Sequence, residues 1–221
     1  MGGCKRAATA LFLVTAAMTS PAVAQQVTIL ALGDSLTQGY GLPDGDGFVP
    51  QLEAWLQDRG HDATVINAGV SGDTTAGGLS RVDWALTEEV DAMIVALGGN
   101  DLLRGIDPAN SRQNLRGILE VARARDLPVL LIGLPAPGNY GPDYKRDFDA
   151  MYPDLSTEFG TLLVPNMLAA ITGSGDDGAA GRAQADLLQD DRIHPNAEGV
   201  KRIVADLGPA VERLIARAAT P

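Results

Sequence analysis

The chain has 221 residues, with 17 Lys and Arg against 28 Asp and Glu, a formal charge of -11, 45% hydrophobic residues and a single cysteine. This is the size of one domain that buries a core without disulfides or a metal, and its apolar content excludes a disordered chain. The acidic balance weighs against a nucleic-acid backbone or an anionic membrane surface as partner, since both would repel it.

Residues 1–24 stand apart from this average. Lys5 and Arg6 precede an apolar run over 7–18, and Ala22, Val23 and Ala24 supply a small-x-small pattern before Gln25. That is the pattern of a secretory signal peptide, and its apolar run is short of the roughly 20 residues that a bilayer span requires. Cys4 lies ahead of the run, where no lipoprotein cysteine stands, and Arg6 occupies the position at which a myristoylation signal needs Ser or Thr. The reading predicts export to the periplasm or the medium, with 25–221 as one mature domain. That domain keeps 15 basic against 28 acidic side chains and has no cysteine. Covalent chemistry in it must therefore use another nucleophile.

The first predicted strand is 27–32, followed by Gly33-Asp34-Ser35-Leu36-Thr37. A serine where a strand turns into a helix presents its hydroxyl at the sheet edge, and the helix N-terminus steadies a developing negative charge. Ser35 is thus a candidate nucleophile, although the same turn also serves as a plain helix cap. It is not the Gly-x-Ser-x-Gly elbow, since Thr37 stands at the last position. Phe48, Leu52, Trp55 and Leu56 then repeat at helical spacing.

A second strand over 64–68 leads into 67–75, where Gly72 brings a backbone N–H close to a substrate with no side chain in the way. The alternative is a tight turn with an Asp/Thr cap, and no phosphate-loop lysine follows. The third strand, 92–97, is followed by Gly98-Gly99-Asn100-Asp101. An Asn amide there can donate to an oxyanion or cap a turn. Leu115, Ile118, Leu119 and Ala122 mark the next helix, and 129–134 the fourth strand.

Two stretches, 135–152 and 173–190, break the rhythm and read as long loops, one on each side of a fifth strand at 162–165. Asp191-Arg-Ile-His194-Pro195-Asn196 follows. An Asp three residues before a His on one turn holds Nδ1–H and leaves Nε2 free to take a proton from a serine. Val200, Ile203, Val204, Leu207, Val211 and Leu214 then line one side of a final helix. The other histidine, His61, falls in a polar loop at the opposite end of the strands and reads as a surface residue.

The residues make no metal site. Two distant histidines and no mature cysteine exclude the usual zinc sites, and counting a calcium loop from Asp44 puts Trp55 where a bidentate Glu is required. Five short strands rich in Val, Ile and Leu, read as buried on both faces and separated by helices, predict a parallel sheet in a three-layer α/β/α domain with right-handed crossovers. Ligands of such sheets sit at the carboxyl ends of the strands. Together the pieces supply a nucleophile, an oriented base and oxyanion donors at those ends, a complete set for acyl transfer.

With Gly33-Asp34-Ser35-Leu36, Gly72, Gly99-Asn100-Asp101 and Asp191-x-x-His194-Pro195 in this order, the chain resembles the SGNH (GDSL) hydrolases over nearly all of 27–216. Within that family it is similar to the small bacterial periplasmic acyl-CoA thioesterase I/arylesterase/lysophospholipase type, through residues 31–42 and Asn139-Tyr140-Gly141. The resemblance implies a flavodoxin-like five-stranded sheet and hydrolysis of carboxylic esters and thioesters of small aryl and acyl substrates. It also implies Ser35 as nucleophile, His194 as base, Asp191 as its orienter, and an oxyanion hole from the Ser35 and Gly72 N–H groups and Asn100.

No cofactor, metal or membrane span is implied, and a monomer is favoured. A carbohydrate O-acetyl esterase, using the same residues, is the alternative. Residues 173–185 are longer than compact members of this type carry, which bears on the acyl pocket. Leu102, Leu103, Leu134, Pro135 and Tyr140 follow strand ends and are candidates for an apolar acyl groove.

Overall fold

The computed structural model describes Met1, residues 26–172 and residues 184–219. Strands β1 (Val27–Gly33), β2 (Ala63–Gly69), β3 (Ala92–Ala96), β4 (Val129–Ile132) and β5 (Leu162–Val164) form one parallel sheet in the order β2-β1-β3-β4-β5. Each lies within two residues of its expected bounds. Burial on both faces holds for β1, β3 and β4, but β2 and β5 are only partly buried because each is an edge with a neighbour on one side. The ladder aligns Gly33 with Gly69 and with Ala96, so β1, β2 and β3 end level.

Seven helices complete the described chain: α1 (Ser35–Gln38), α2 (Phe48–Asp58), α3 (Thr75–Ala85), α4 (Gly99–Leu103), α5 (Pro108–Ala124), α6 (Pro142–Phe159) and α7 (Ala197–Ala218). The apolar face of α7 and Phe48, Leu52 and Leu56 of α2 pack against Ile29, Ala31 and Ile94 on one side of the sheet. Leu115, Ile118 and Leu119 of α5, with Phe148 and Leu155 of α6, pack against Leu30, Leu32, Met93 and Val95 on the other. Alternation of side chains along a strand divides β1 and β3 between the two cores. Each fully buried Leu or Ile contributes roughly 1.5–3 kcal/mol of transfer free energy.

The stretch 135–152 is not the loop expected from its Gly, Pro and Tyr content. After one 3₁₀ turn at Gly138–Tyr140, α6 begins at Pro142 and runs to Phe159, closed by Gly160 in the left-handed conformation. Proline is well suited to the first helical position, whose N–H has no helical partner, and glycine to the residue past the end. Phe148, Met151, Tyr152 and Leu155 form the buried face, and this spacing is the signal that the composition concealed. Of the second expected loop, residues 184–190 carry a 3₁₀ turn (Ala185–Leu187) and Leu188, which bridges to Pro195. Residues 173–183 and the signal-like segment 1–24, Met1 apart, lie outside the described residues. Among the described residues no helix is long and apolar enough to cross a membrane.

The strand order reverses between β1 and β3. In open α/β sheets the crevice for a ligand lies at such a switch point, beyond the carboxyl ends of the strands. The one-turn helices α1 and α4 begin there.

Candidate active site

Ser35 is the first residue of α1 and is 9% exposed. Asp34 caps that helix, its Oδ1 accepting from the Leu36 N–H at 3.0 Å. The Ser35 N–H stands at a helix start, where no carbonyl of the same helix can receive it. Beneath it, the Arg81 guanidinium donates to Gly33 O at 2.9 Å and Ala68 O at 2.7 Å, and to Asp73 Oδ2 at 2.6 Å. One planar cation thus ties together the ends of β1 and β2 where their ladder stops.

Beyond β2, Val70 N–H donates to Gly33 O at 3.1 Å, and the chain turns at Gly72 with φ +83°. That left-handed conformation costs a side-chain-bearing residue, whereas glycine adopts it freely. Gly72 O accepts from Arg104 Nη2 at 2.8 Å, which joins this turn to the segment after α4.

Asn100 lies in α4, and its Nδ2 donates to Asp34 Oδ2 at 3.4 Å. An amide nitrogen carries two hydrogens, so one remains for another acceptor. The neighbouring Asp101 is fully buried and accepts from Thr75 N–H at 2.8 Å, Thr75 Oγ1 at 2.6 Å and Ser111 Oγ at 2.8 Å. It pins α4 to the starts of α3 and α5, so Asn100 rides on an anchored helix. The Ser35, Gly72 and Asn100 donors follow β1, β2 and β3, which end level.

The turn before α7 completes the cluster. His194 Nδ1 lies 2.6 Å from Asp191 Oδ2, and His194 Nε2 lies 2.8 Å from Ser35 Oγ. Asp191 Oδ1 accepts from the Ile193 and His194 N–H groups at 2.9 and 3.0 Å. The His194 imidazole, assisted by these two amides, holds the Asp191 carboxyl down to about 2. Asp191 is therefore ionised at neutral pH and favours the tautomer with its proton on Nδ1. The Tyr40 ring lies 4.8 Å from the imidazole, tilted by 41°. His61 sits at the other end of the sheet, with Nε2 3.1 Å from Glu212 Oε1.

Asp34 behaves oppositely to Asp191. Burial pushes its carboxyl up to about 6, against the pull of the Leu36 N–H, the His194 charge and the Asn100 amide. The folded protein holds this proton more tightly than the unfolded chain. Its stabilising contribution is therefore present below about pH 4 and is lost as pH rises through about 6. An Asp34→Asn variant keeps a good helix cap and removes the titration. Its thermal midpoint is expected to decline less than that of the wild type between about pH 4 and 6, and parallel melting profiles would contradict this assignment. Asp191 acts in a lower window, where its stabilisation is lost as pH falls from its ordinary value of 3.8 towards about 2.

The five apolar candidates differ in exposure and surroundings. Leu134 lines a small cleft beside Asp34 and Gly99, together with Leu36, Leu97 and Met167. Leu102 is instead a core residue, 6% exposed, packed on the α5 side of the sheet. Leu103, the next residue along the α4 turn, is turned to solvent at 64% exposure. Tyr140 is 43% exposed, and its hydroxyl donates to Leu103 O at 3.4 Å. Pro135 is partly buried next to Ala136, whose N–H and O are held by Asp149 and Lys145 of α6.

Sequence reasoning missed Arg81, Tyr40, the anchoring role of Asp101, and Gln189, whose amide donates to Tyr40 O at 2.8 Å and Pro195 O at 3.0 Å. None carries a spacing signal, because each acts on partners, whether a backbone group, a hydroxyl or a ring, brought near only by the fold.

The chain matches the GDSL-like lipase/acylhydrolase family over residues 31–202. It is 40% identical over 199 residues to esterase TesA of Pseudomonas aeruginosa, covering 90% of this chain and 93% of that one. To thioesterase 1/protease 1/lysophospholipase L1 of Escherichia coli K12 it is 36% identical over 189 residues, covering 85% and 84%. Among solved structures it is similar to AlinE4, an SGNH-hydrolase family esterase, at 44% identity and a TM-score of 0.68, covering 89% of this chain and 98% of that one.

Proposed function

Since the chain belongs to the GDSL-like lipase/acylhydrolase family and is an ester hydrolase, we propose that it cleaves carboxylic esters and thioesters of small aryl and acyl substrates through an acyl-enzyme on Ser35. The observation that carries this reading is the unbroken relay from Asp191 to His194 to Ser35 Oγ, at 2.6 and 2.8 Å.

Ser35 Oγ attacks the acyl carbonyl carbon while His194 Nε2 takes its proton. The carbonyl oxygen becomes an oxyanion facing the Ser35 N–H, the Gly72 N–H and Asn100 Nδ2. His194 then gives the proton to the departing alkoxide or thiolate, leaving acyl-Ser35 and a neutral alcohol or thiol. Water enters, loses a proton to His194 and attacks the acyl carbon. Collapse of the second tetrahedral species releases the carboxylic acid and returns the proton to Ser35. Asp191 stays ionised throughout and stabilises the imidazolium formed twice in the cycle. Every proton in the cycle moves between these groups, the substrate and the attacking water.

Labelling with a fluorophosphonate tests the reading: the adduct should map to Ser35, and modification of a different serine with loss of activity would refute it. For Asn100→Ala we expect kcat on p-nitrophenyl acetate to fall by about 10²-fold, the usual cost of one oxyanion donor, with KM nearly unchanged. A rise in KM at constant kcat would make Asn100 a ground-state binding group instead. The names of the relatives, an esterase and a thioesterase/lysophospholipase, favour this reading over a carbohydrate O-acetyl esterase. Residues 1–24, with their basic start, apolar run and Ala22-Val23-Ala24, support export through a signal peptide to the periplasm or medium.

A further inference from the structure

We propose that Gln189 is a positioning residue that sets the reach of His194 towards Ser35. The proposal rests on the reading of Ser35 and His194 as nucleophile and base. Ser35 and His194 are 159 positions apart, and a proton passes between them only when Nε2 and Oγ are held within hydrogen-bond reach. Their own hydrogen bond breaks and reforms in each cycle, so something else must keep the two segments together.

Gln189 is placed to do this from the side. Its N–H donates to His194 O at 2.8 Å and its O accepts from Arg192 N–H at 2.9 Å, which closes the turn carrying Asp191 and His194. Its side-chain Nε2 donates to Pro195 O at 3.0 Å within that turn and to Tyr40 O at 2.8 Å outside it. Tyr40 is bound in turn to the nucleophile's helix, its N–H donating to Ser35 O at 3.1 Å. The route from His194 to Ser35 through Gln189 and Tyr40 is therefore independent of the reacting atoms.

The fit is tight at its centre. At Gly41, φ +74°, a Cβ would stand 2.2 Å from Gln189 Oε1, so the side chain lies against bare backbone. The same link holds the Tyr40 segment, and so its ring, against the imidazole.

The test is Gln189→Met, which keeps the length of the side chain and removes both donors, assayed on p-nitrophenyl acetate. We expect kcat to fall by about tenfold with KM within about twofold, because a misplaced base weakens the transition state and leaves ground-state binding alone. In a His194→Ala background the same substitution should cost nothing further, since there is no imidazole left to place.

A folded Gln189→Met enzyme with wild-type kcat would overturn the proposal, and so would an equal loss in both backgrounds, the mark of a merely structural role. If Gln189→Met does not fold, Gln189→Asn, which keeps the amide but falls a methylene short of spanning both carbonyls, carries the same cycle with the same two criteria. Wild-type turnover by His194→Ala would remove the base assignment and this proposal with it, whereas an inactive His194→Ala beside an unimpaired Gln189→Met removes this proposal alone.

Discussion

A Ser35→Ala enzyme is expected to lose 10³-fold or more in kcat on p-nitrophenyl esters while melting within a degree or two of the wild type, about the largest activity loss a single change here should give. The substitution deletes one oxygen, leaves the α1 cap on Asp34 intact and opens no cavity in either core. What it removes is the atom that would carry the acyl group, so no partial rate through the same intermediate survives. Residual hydrolysis should come only from oriented binding and the oxyanion donors, with water as the attacking group. A folded Ser35→Ala protein that turns over at the wild-type rate would end the proposed mechanism.

His194→Ala should cost a comparable amount, about 10³-fold in kcat. Without the imidazole the serine hydroxyl keeps its proton at neutral pH, and a hydroxyl is a weak nucleophile at carbonyl carbon. Asp191 cannot substitute, because it is linked to Ser35 only through His194, and a carboxylate is too weak a base to take a serine proton at neutral pH. The Ser35→Ala/His194→Ala double variant should be no slower than the worse single variant, because the two side chains act as one device. Additive losses would mean that His194 acts elsewhere than on Ser35. The rate of fluorophosphonate labelling at Ser35 should fall in step with kcat, since phosphonylation uses the same activated oxygen.

The central strands were legible because burial on both faces forces short continuous runs rich in Val, Ile and Leu, as in 92–97 and 129–134, too short for a typical helix. The edge strands showed the same runs and so could not be told apart as edges, a property of neighbours that local sequence does not contain. The start of helix α6 was misread because Pro135, Pro137, Gly138, Gly141 and Pro142 crowd the head of the 135–152 stretch. Proline at a helix start and glycine past its end are boundary signals as much as loop signals, and only the spacing of Phe148, Met151, Tyr152 and Leu155 decides between them.

The exposure of the groove candidates was not legible in the sequence either. Leu102 and Leu103 are the same residue type at adjacent positions, and the turn of α4 sends one into the core and the other to solvent.

Sequence alone determined the parts of the site that are local. Asp191 and His194 pair across three residues of one turn, Asp34 caps the helix that begins at Ser35, and Gly72 permits its own turn, so each is written in a short string. The tertiary structure decided what joins those strings. Level strand ends and a sheet order that reverses between β1 and β3 bring Ser35 to Asn100 through Asp34, and the docking of α7 brings His194 to Ser35. Such contacts depend on which backbone carbonyl or side chain the packed cores leave within about 3 Å, and two segments far apart in the chain share no local pattern that records it.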